Sequence, residues 1–193
     1  ELKLHGKLVP LLIFTATPPR HDQITALLDS VATHPHIKMI IKFHPACKYP
    51  VYEEWKAGTP KSLLKNLIFV HGRYNVYDLI SACDLCVLAA PSTTGIEAVA
   101  LEKPLVQLSG LSPANAPYSF VDQGVALEMT PADLGRHLAQ KTDFKKAISL
   151  EAIDRFLINE LTQADGADDR IIHIMQKVIK AAHRQIVPLT IPQ

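Results

Sequence analysis

Ser92-Thr93-Thr94-Gly95 stands immediately before a stretch with helical apolar spacing. Hydroxyls and free backbone N–H groups are expected to converge there at the positive end of a helix, a setting that receives phosphate well. Gly95 permits close backbone approach at that point. Glu97 falls in the first turn of the same helix, where its carboxylate can reach the vicinal hydroxyls of a ribose just beyond the phosphate. The same residues also fit a plainer pattern, a Thr94-Gly95-Ile96-Glu97 capping box. Capping and ribose binding exclude one another, and the spacing alone leaves both open.

His44 ends an apolar strand just before Pro45. It is placed to donate to a phosphate or to stabilise a departing nucleotide diphosphate, and is otherwise a surface residue. Cys83-Asp84-Leu85-Cys86 has the spacing of a redox or zinc pair, but the chain has no second pair and Cys86 lies inside an apolar run, so no metal is expected. Lys42, His5, His137, His173 and His183 form no usable spacing. Neither Gly-x-Gly-x-x-Gly nor a phosphate-loop lysine motif occurs, which counts against dinucleotide oxidoreductases and loop-type ATPases.

These residues sit at the ends of a repeating pattern. Short apolar runs rich in β-branched residues alternate with helical stretches, and each run ends in a turn or polar cluster, as in a parallel sheet with crossover helices. The expected strands are 8–15, 38–43, 67–70, 84–89 and 105–108, with 125–128 as a last edge strand. Helices are expected over 21–33, near 61–65, over 76–83 and over 95–102. The stretch holding Trp55 reads as irregular, and 109–119 as a mobile loop over the strand ends.

From Thr130 onward the pattern is helical to about residue 184, opened by Thr130 as N-cap and Pro131 at the first position. The last helix is expected to begin at Asp168-Asp169 and to close on Lys177, Lys180, His183 and Arg184, the charge order that a helix dipole favours. The fold class is therefore α/β, a three-layer Rossmann-like parallel sheet with C-terminal helices, in one domain over 1–193. In such a sheet, ligands bind outside the carboxyl ends of the strands. Four polar clusters fall there: Thr15 to Arg20, His44-Pro45, His71 to Asn75, and Ser92 to Glu97.

Composition narrows the partners. The 193 residues carry 20 Lys+Arg against 19 Asp+Glu, so a net charge of +1 supplies no field for nucleic acid, and any anion site must be local. Three cysteines are too few for a disulfide framework and suit a reducing compartment, the cytoplasm. No apolar run approaches the about 18 residues needed to span a bilayer, so the chain reads as soluble. Glu1 in first place points to a piece of a longer chain.

The order Ile-Lys-Phe-His44-Pro45, Asn75-Val-Tyr-Asp78-Leu-Ile, Asp84-Leu, Ser92-Thr-Thr-Gly-Ile-Glu97-Ala98 and Lys103-Pro104 resembles the C-terminal half of two-domain GT-B glycosyltransferases. Bacterial capsule and teichoic-acid enzymes that use CMP-sialic acid or CDP-polyols are the nearest in feel, UDP-N-acetylglucosamine 2-epimerase is similar in layout, and Asp165 to Arg170 resembles the tail of such transferases. The likeness spans about residues 38 to 180.

By that resemblance His44 would contact the donor phosphate or leaving nucleotide, Ser92, Thr93, Thr94 and Gly95 the phosphates, and Glu97 the ribose. The stretch from Arg73 to Tyr77, with Arg73 and Asn75, would lie near the base. The substrate would be a nucleotide-sugar or CDP-alcohol, with no bound metal and no cofactor. The implied role is donor binding in bacterial surface polysaccharide synthesis; a UDP-sugar epimerase domain and a non-catalytic nucleotide-sugar docking module are the alternatives. A complete enzyme of this fold needs about twice this length, two sheets facing a cleft. The acceptor half and its general base would then come from an N-terminal domain on the same or a separate chain, and the full enzyme would admit peripheral contact with the inner face of a membrane.

Overall fold

The computed structural model describes residues 6–72, 74–111 and 119–162. Six short strands form one parallel sheet: β1 (Pro10–Ile13), β2 (Met39–Lys42), β3 (Leu67–Val70), β4 (Leu85–Leu88), β5 (Leu105–Leu108) and β6 (Leu127–Met129). Their order is β3-β2-β1-β4-β5-β6, so the chain works outward from β1 on one side and then crosses back to begin the other at β4. The α/β Rossmann-like sheet read from the sequence is therefore the fold.

The four inner strands read as near-continuous apolar runs because helices cover both faces. On one face, Leu12, Phe14, Met39, Ile41 and Phe43 pack beneath α1 (His21–Thr33), α2 (Tyr49–Gly58), α3 (Lys61–Leu64) and α6 (Pro131–Ala139). On the other, Leu11, Ile13, Ile40 and Leu88 pack beneath α4 (Val76–Ala82), α5 (Thr94–Ala100) and α7 (Leu150–Thr162). Helix α1 buries Ile24, Leu27, Leu28 and Val31, the i, i+3, i+4, i+7 stripe that its sequence spells. Helix α6 crosses α1 closely: a Cβ on Gly135 would stand 2.9 Å from Ser30 Cβ, and the Ser30 hydroxyl donates to the Gly135 carbonyl at 2.6 Å.

The central seam is locked at its amino end. Asp84 accepts from the Val9 N–H at 2.8 Å through Oδ2 while its own N–H donates to the Val9 carbonyl at 2.9 Å, which extends the β1–β4 pairing one step beyond the strands. Pro10 opens β1, where its missing N–H interrupts no interior step of the ladder. Thr130 caps α6 by accepting from the Asp133 N–H, as the Thr-Pro pair predicts.

Two expectations need correcting. The stretch holding Trp55 is not irregular: it is helix α2, with Pro50 in its first turn and Tyr52 and Trp55, three apart, turned inward. With only two buried residues and Pro and Gly at its ends, this helix has almost no periodic signal. The edge strand lies at Leu127–Met129, later than 125–128, because Val125 and Ala126 pack into the core ahead of it. Arg73, His5, most of 109–119 and the final helix from Asp168, with His173, Lys177, Lys180, His183 and Arg184, lie outside the described residues. Among the described residues no helix is long and apolar enough to cross a membrane.

Candidate functional site

The strand order puts the topological switch point between β1 and β4, the position outside whose carboxyl ends an open α/β sheet binds its ligand. The loop Thr15 to Arg20 leaves β1 there, and Ser92 to Glu97 leaves β4. Next along the same edge come His44 after β2 and His71 to Asn75 after β3. The four polar clusters thus line one rim in the spatial order β3, β2, β1, β4. The strands that lead to His44 and Ser92, β2 and β4, are two spacings apart in the sheet, about 10 Å.

The β1 loop is held in shape from within. Trp55 Nε1 donates to the Pro19 carbonyl at 2.9 Å, and the Thr15 hydroxyl donates to the Thr17 carbonyl at 3.0 Å. The indole is itself wedged against Phe14 and Phe43 and carries His21 stacked on its face at 4.1 Å. His21 Nε2 meets the Thr59 hydroxyl at 3.1 Å, and burial holds this imidazole below its ordinary pKa. Helix α2, absent from the sequence reading, is therefore the support of the loop beside the switch point. The signal that could have found it is Trp55 with Tyr52 at helical spacing.

At the β4 end the amides are largely spoken for. Gly95 N–H donates to the Ser92 carbonyl at 2.8 Å and Ile96 N–H to the Thr93 carbonyl at 2.9 Å, so the free donors expected at this helix start are reduced to earlier positions. Thr94 N–H reaches the Ser92 hydroxyl at a long 3.4 Å, and that hydroxyl also lies 3.3 Å from the Thr94 hydroxyl. Thr93, exposed, makes no side-chain cap. Gly95 is explained by protein packing: a Cβ there would stand 2.4 Å from the Phe120 ring, so the close approach it permits is to Phe120.

The capping box does not form. Thr93, the residue before α5, makes no side-chain cap, and Glu97 is half-buried with its Oε2 lacking a hydrogen-bond partner among the described residues. Burial pushes the Glu97 carboxyl above its ordinary value, and the nearby Tyr77 hydroxyl pulls weakly the other way by favouring the charge. Tyr77, on α4, is raised in turn, first by burial and then by the Glu97 charge. Sequence reading had only grouped Tyr77 with the base-side stretch; the fold makes it the neighbour of Glu97.

His44 is exposed, and its Nδ1 accepts from the Ala46 N–H at 3.0 Å. In the neutral ring that bond places the proton on Nε2, which leaves a donor facing outward. His71 is a structural residue: its Nε2 bonds the Cys47 carbonyl at 2.9 Å and its ring stacks on Tyr52 at 4.7 Å. Asn75 caps α4 by accepting from the Tyr77 N–H at 3.1 Å, so its side-chain oxygen is already engaged. Arg73, beside it, lies outside the described residues.

Cys83 and Cys86 bring their sulfurs to 3.5 Å at the far, amino end of β4, where each other and burial push Cys86 well above its ordinary value. The Cys86 thiol therefore resists becoming a thiolate. Among the described residues no three metal-ligating side chains come together.

No family model matches the chain, and no curated protein matches it. Solved structures do. Anabaena HepE bound to UDP and glucose superposes with a TM-score of 0.57 at 17% identity, over 94% of this chain and 50% of that one. A glycosyltransferase of Rickettsia africae gives 0.59 at 14% identity, over 91% and 48%. The glycosyltransferase of kitacinnamycin gives 0.58 at 15% identity, over 95% and 44%. The fold is thus that of one domain of GT-B glycosyltransferases, and the chain spans about half the length of these three solved structures.

Proposed function

We propose that this chain is the donor-binding half of a glycosyltransferase, holding a nucleotide-sugar at the rim between β1 and β4. The observation that carries this reading is Glu97: a half-buried carboxylate at the switch point whose Oε2 has no partner among the described residues, released from the capping box that would have consumed it. A carboxylate so placed is suited to a ribose diol, whose two hydroxyls donate to it and repay its desolvation. Ser92, Thr93 and Thr94 supply hydroxyls for the phosphates, and His44 offers its Nε2 proton to the leaving nucleotide.

The solved relatives that carry UDP or UDP-glucose make uridine the first base to try, ahead of the cytidine nucleotides of the sialyl- and polyol-phosphate transferases. The acceptor site and the general base belong, on this reading, to a second domain of similar size. No metal or cofactor is required of the residues at the rim. Bacterial surface polysaccharide synthesis, in the cytoplasm at the inner face of the membrane, is the setting that the His-Pro and Ser-Thr-Thr motifs suggest.

The test is a calorimetric titration of the chain with UDP, UDP-glucose, CDP and CMP, repeated on Glu97→Ala. Losing a charge-assisted pair with the ribose lowers affinity about ten- to a hundredfold. Equal affinity in the variant, or no nucleotide bound by the native chain, sinks the reading.

A further inference from the structure

Lys42 closes β2 in the middle of the sheet, in register with Ile13 on one side and Val70 on the other. It points to the face that carries Ile13 and Ile40, and is only 5% exposed. Its ammonium donates to the Phe43 carbonyl at 3.1 Å. Phe43 is the first residue past the strand, so the charge has climbed to the carboxyl rim while its stem stays in the core.

An ammonium has three donors, and the other two meet no acceptor among the described residues. No carboxylate among the described residues neutralises it either. The ion pairs among the described residues are Arg20 with Asp22, Arg136 with Asp133 and Lys146 with Asp143, all at the surface. A buried unpaired cation is costly unless something anionic arrives to pair with it. Burial holds this amine below its ordinary value.

We propose that Lys42 is the anion receptor of the rim, taking a phosphate oxygen of a diphosphate that lies across the ends of β2 and β1. This rests on the nucleotide-sugar reading for the identity of the ligand, and on the geometry of Lys42 for the charge it must bear. Lysine suits the task as a compact point charge that needs no bidentate geometry. Two residues on, His44 Nε2 supplies an N–H donor on the same strand end, so cation and proton donor reach one ligand from a single segment.

The experiment titrates the native chain and Lys42→Met with inorganic pyrophosphate, UMP and UDP, and melts both proteins without ligand. Lys42→Met is expected to bind pyrophosphate and UDP about ten- to a hundredfold more weakly and to lose the gain in affinity from UMP to UDP. It is also expected to melt no lower than the native chain, because an unpaired buried charge has been removed. Lys42→Arg should retain most of the affinity. If Lys42→Met does not fold, Lys42→Gln, which keeps a donor for Phe43, carries the same expectation.

Unchanged pyrophosphate and UDP binding in the variant overturns the inference, as does a native chain that binds no pyrophosphate. Pyrophosphate bound through Lys42 with UDP held no tighter would keep the anion site and sink the nucleotide reading.

Discussion

The ring of Phe120 lies flat against Gly95, so close that a Cβ on the glycine would stand 2.4 Å from Cζ and 2.6 Å from Cε2. The ring cannot swing away cheaply, since Phe120 is buried and packed against Phe156. Two helices and the β5–β6 connection are pinned together at the second residue of α5.

Gly95→Ala should therefore destabilise the chain, although alanine favours a helix by about 1 kcal/mol over glycine. Overpacking of a close-packed site costs about 1–3 kcal/mol and prevails here. Urea unfolding of the single variant, of Phe120→Leu and of the pair should reveal a coupling that makes the double variant more stable than the sum predicts.

Trp55→Phe keeps an aromatic ring against Phe14 and Phe43 but leaves the Pro19 carbonyl without its indole donor. The expected loss is about 1–2 kcal/mol in urea unfolding, with faster amide exchange confined to the loop Thr15 to Arg20. Exchange that rises equally across α1 and α2 would mean that the bond supports the whole face and not the loop.

Glu97 makes stability depend on pH. Its folded-state value is raised above the ordinary 4.5 by burial, so its contribution to stability is fully present below that value and is lost as pH rises through the raised one. Ligand-free native chain should lose melting temperature across that window, and Glu97→Gln should lose less. Identical pH profiles for the two proteins would show that the carboxyl is not desolvated in solution.

His44 can be dissected with two amides. Asparagine places an oxygen near Nδ1 and can keep accepting from the Ala46 N–H, whereas glutamine extends a donor towards the Nε2 position. His44→Asn should melt like the native chain yet bind UDP more weakly. His44→Gln should retain more of the binding. Nitrogen-15 spectra of the native imidazole should show the neutral ring protonated on Nε2.

The sequence was most legible where pattern is local. Helix α1 and strands β3 and β5 lie at the residues their apolar spacing marks out, because each buries a stripe that its own residues define. Helix α2 escaped notice because only Tyr52 and Trp55 are buried and Pro50 and Gly58 look like breakers. The rim of four clusters followed from strand ends alone. The partners within it did not: Phe120 meets Gly95 across 25 positions, and Tyr77 meets Glu97 across 20, relations that only packing creates. Lys42 is hidden because it forms no usable spacing with other chemically active residues; its clue is a charge in a strand otherwise apolar on both sides.

The seam between β1 and β4 joins Val9 to Asp84 across 75 positions, whereas β1 meets β2 after a single helix. Loop-closure entropy makes such a distant pairing slow relative to local ones. During folding, β1, β2 and β3 can assemble as a unit with their helices while the place beside β1 that β4 will take is still open. The rim between β1 and β4 therefore cannot exist in an emerging polypeptide until residue 84 and the helix beyond β4 have arrived.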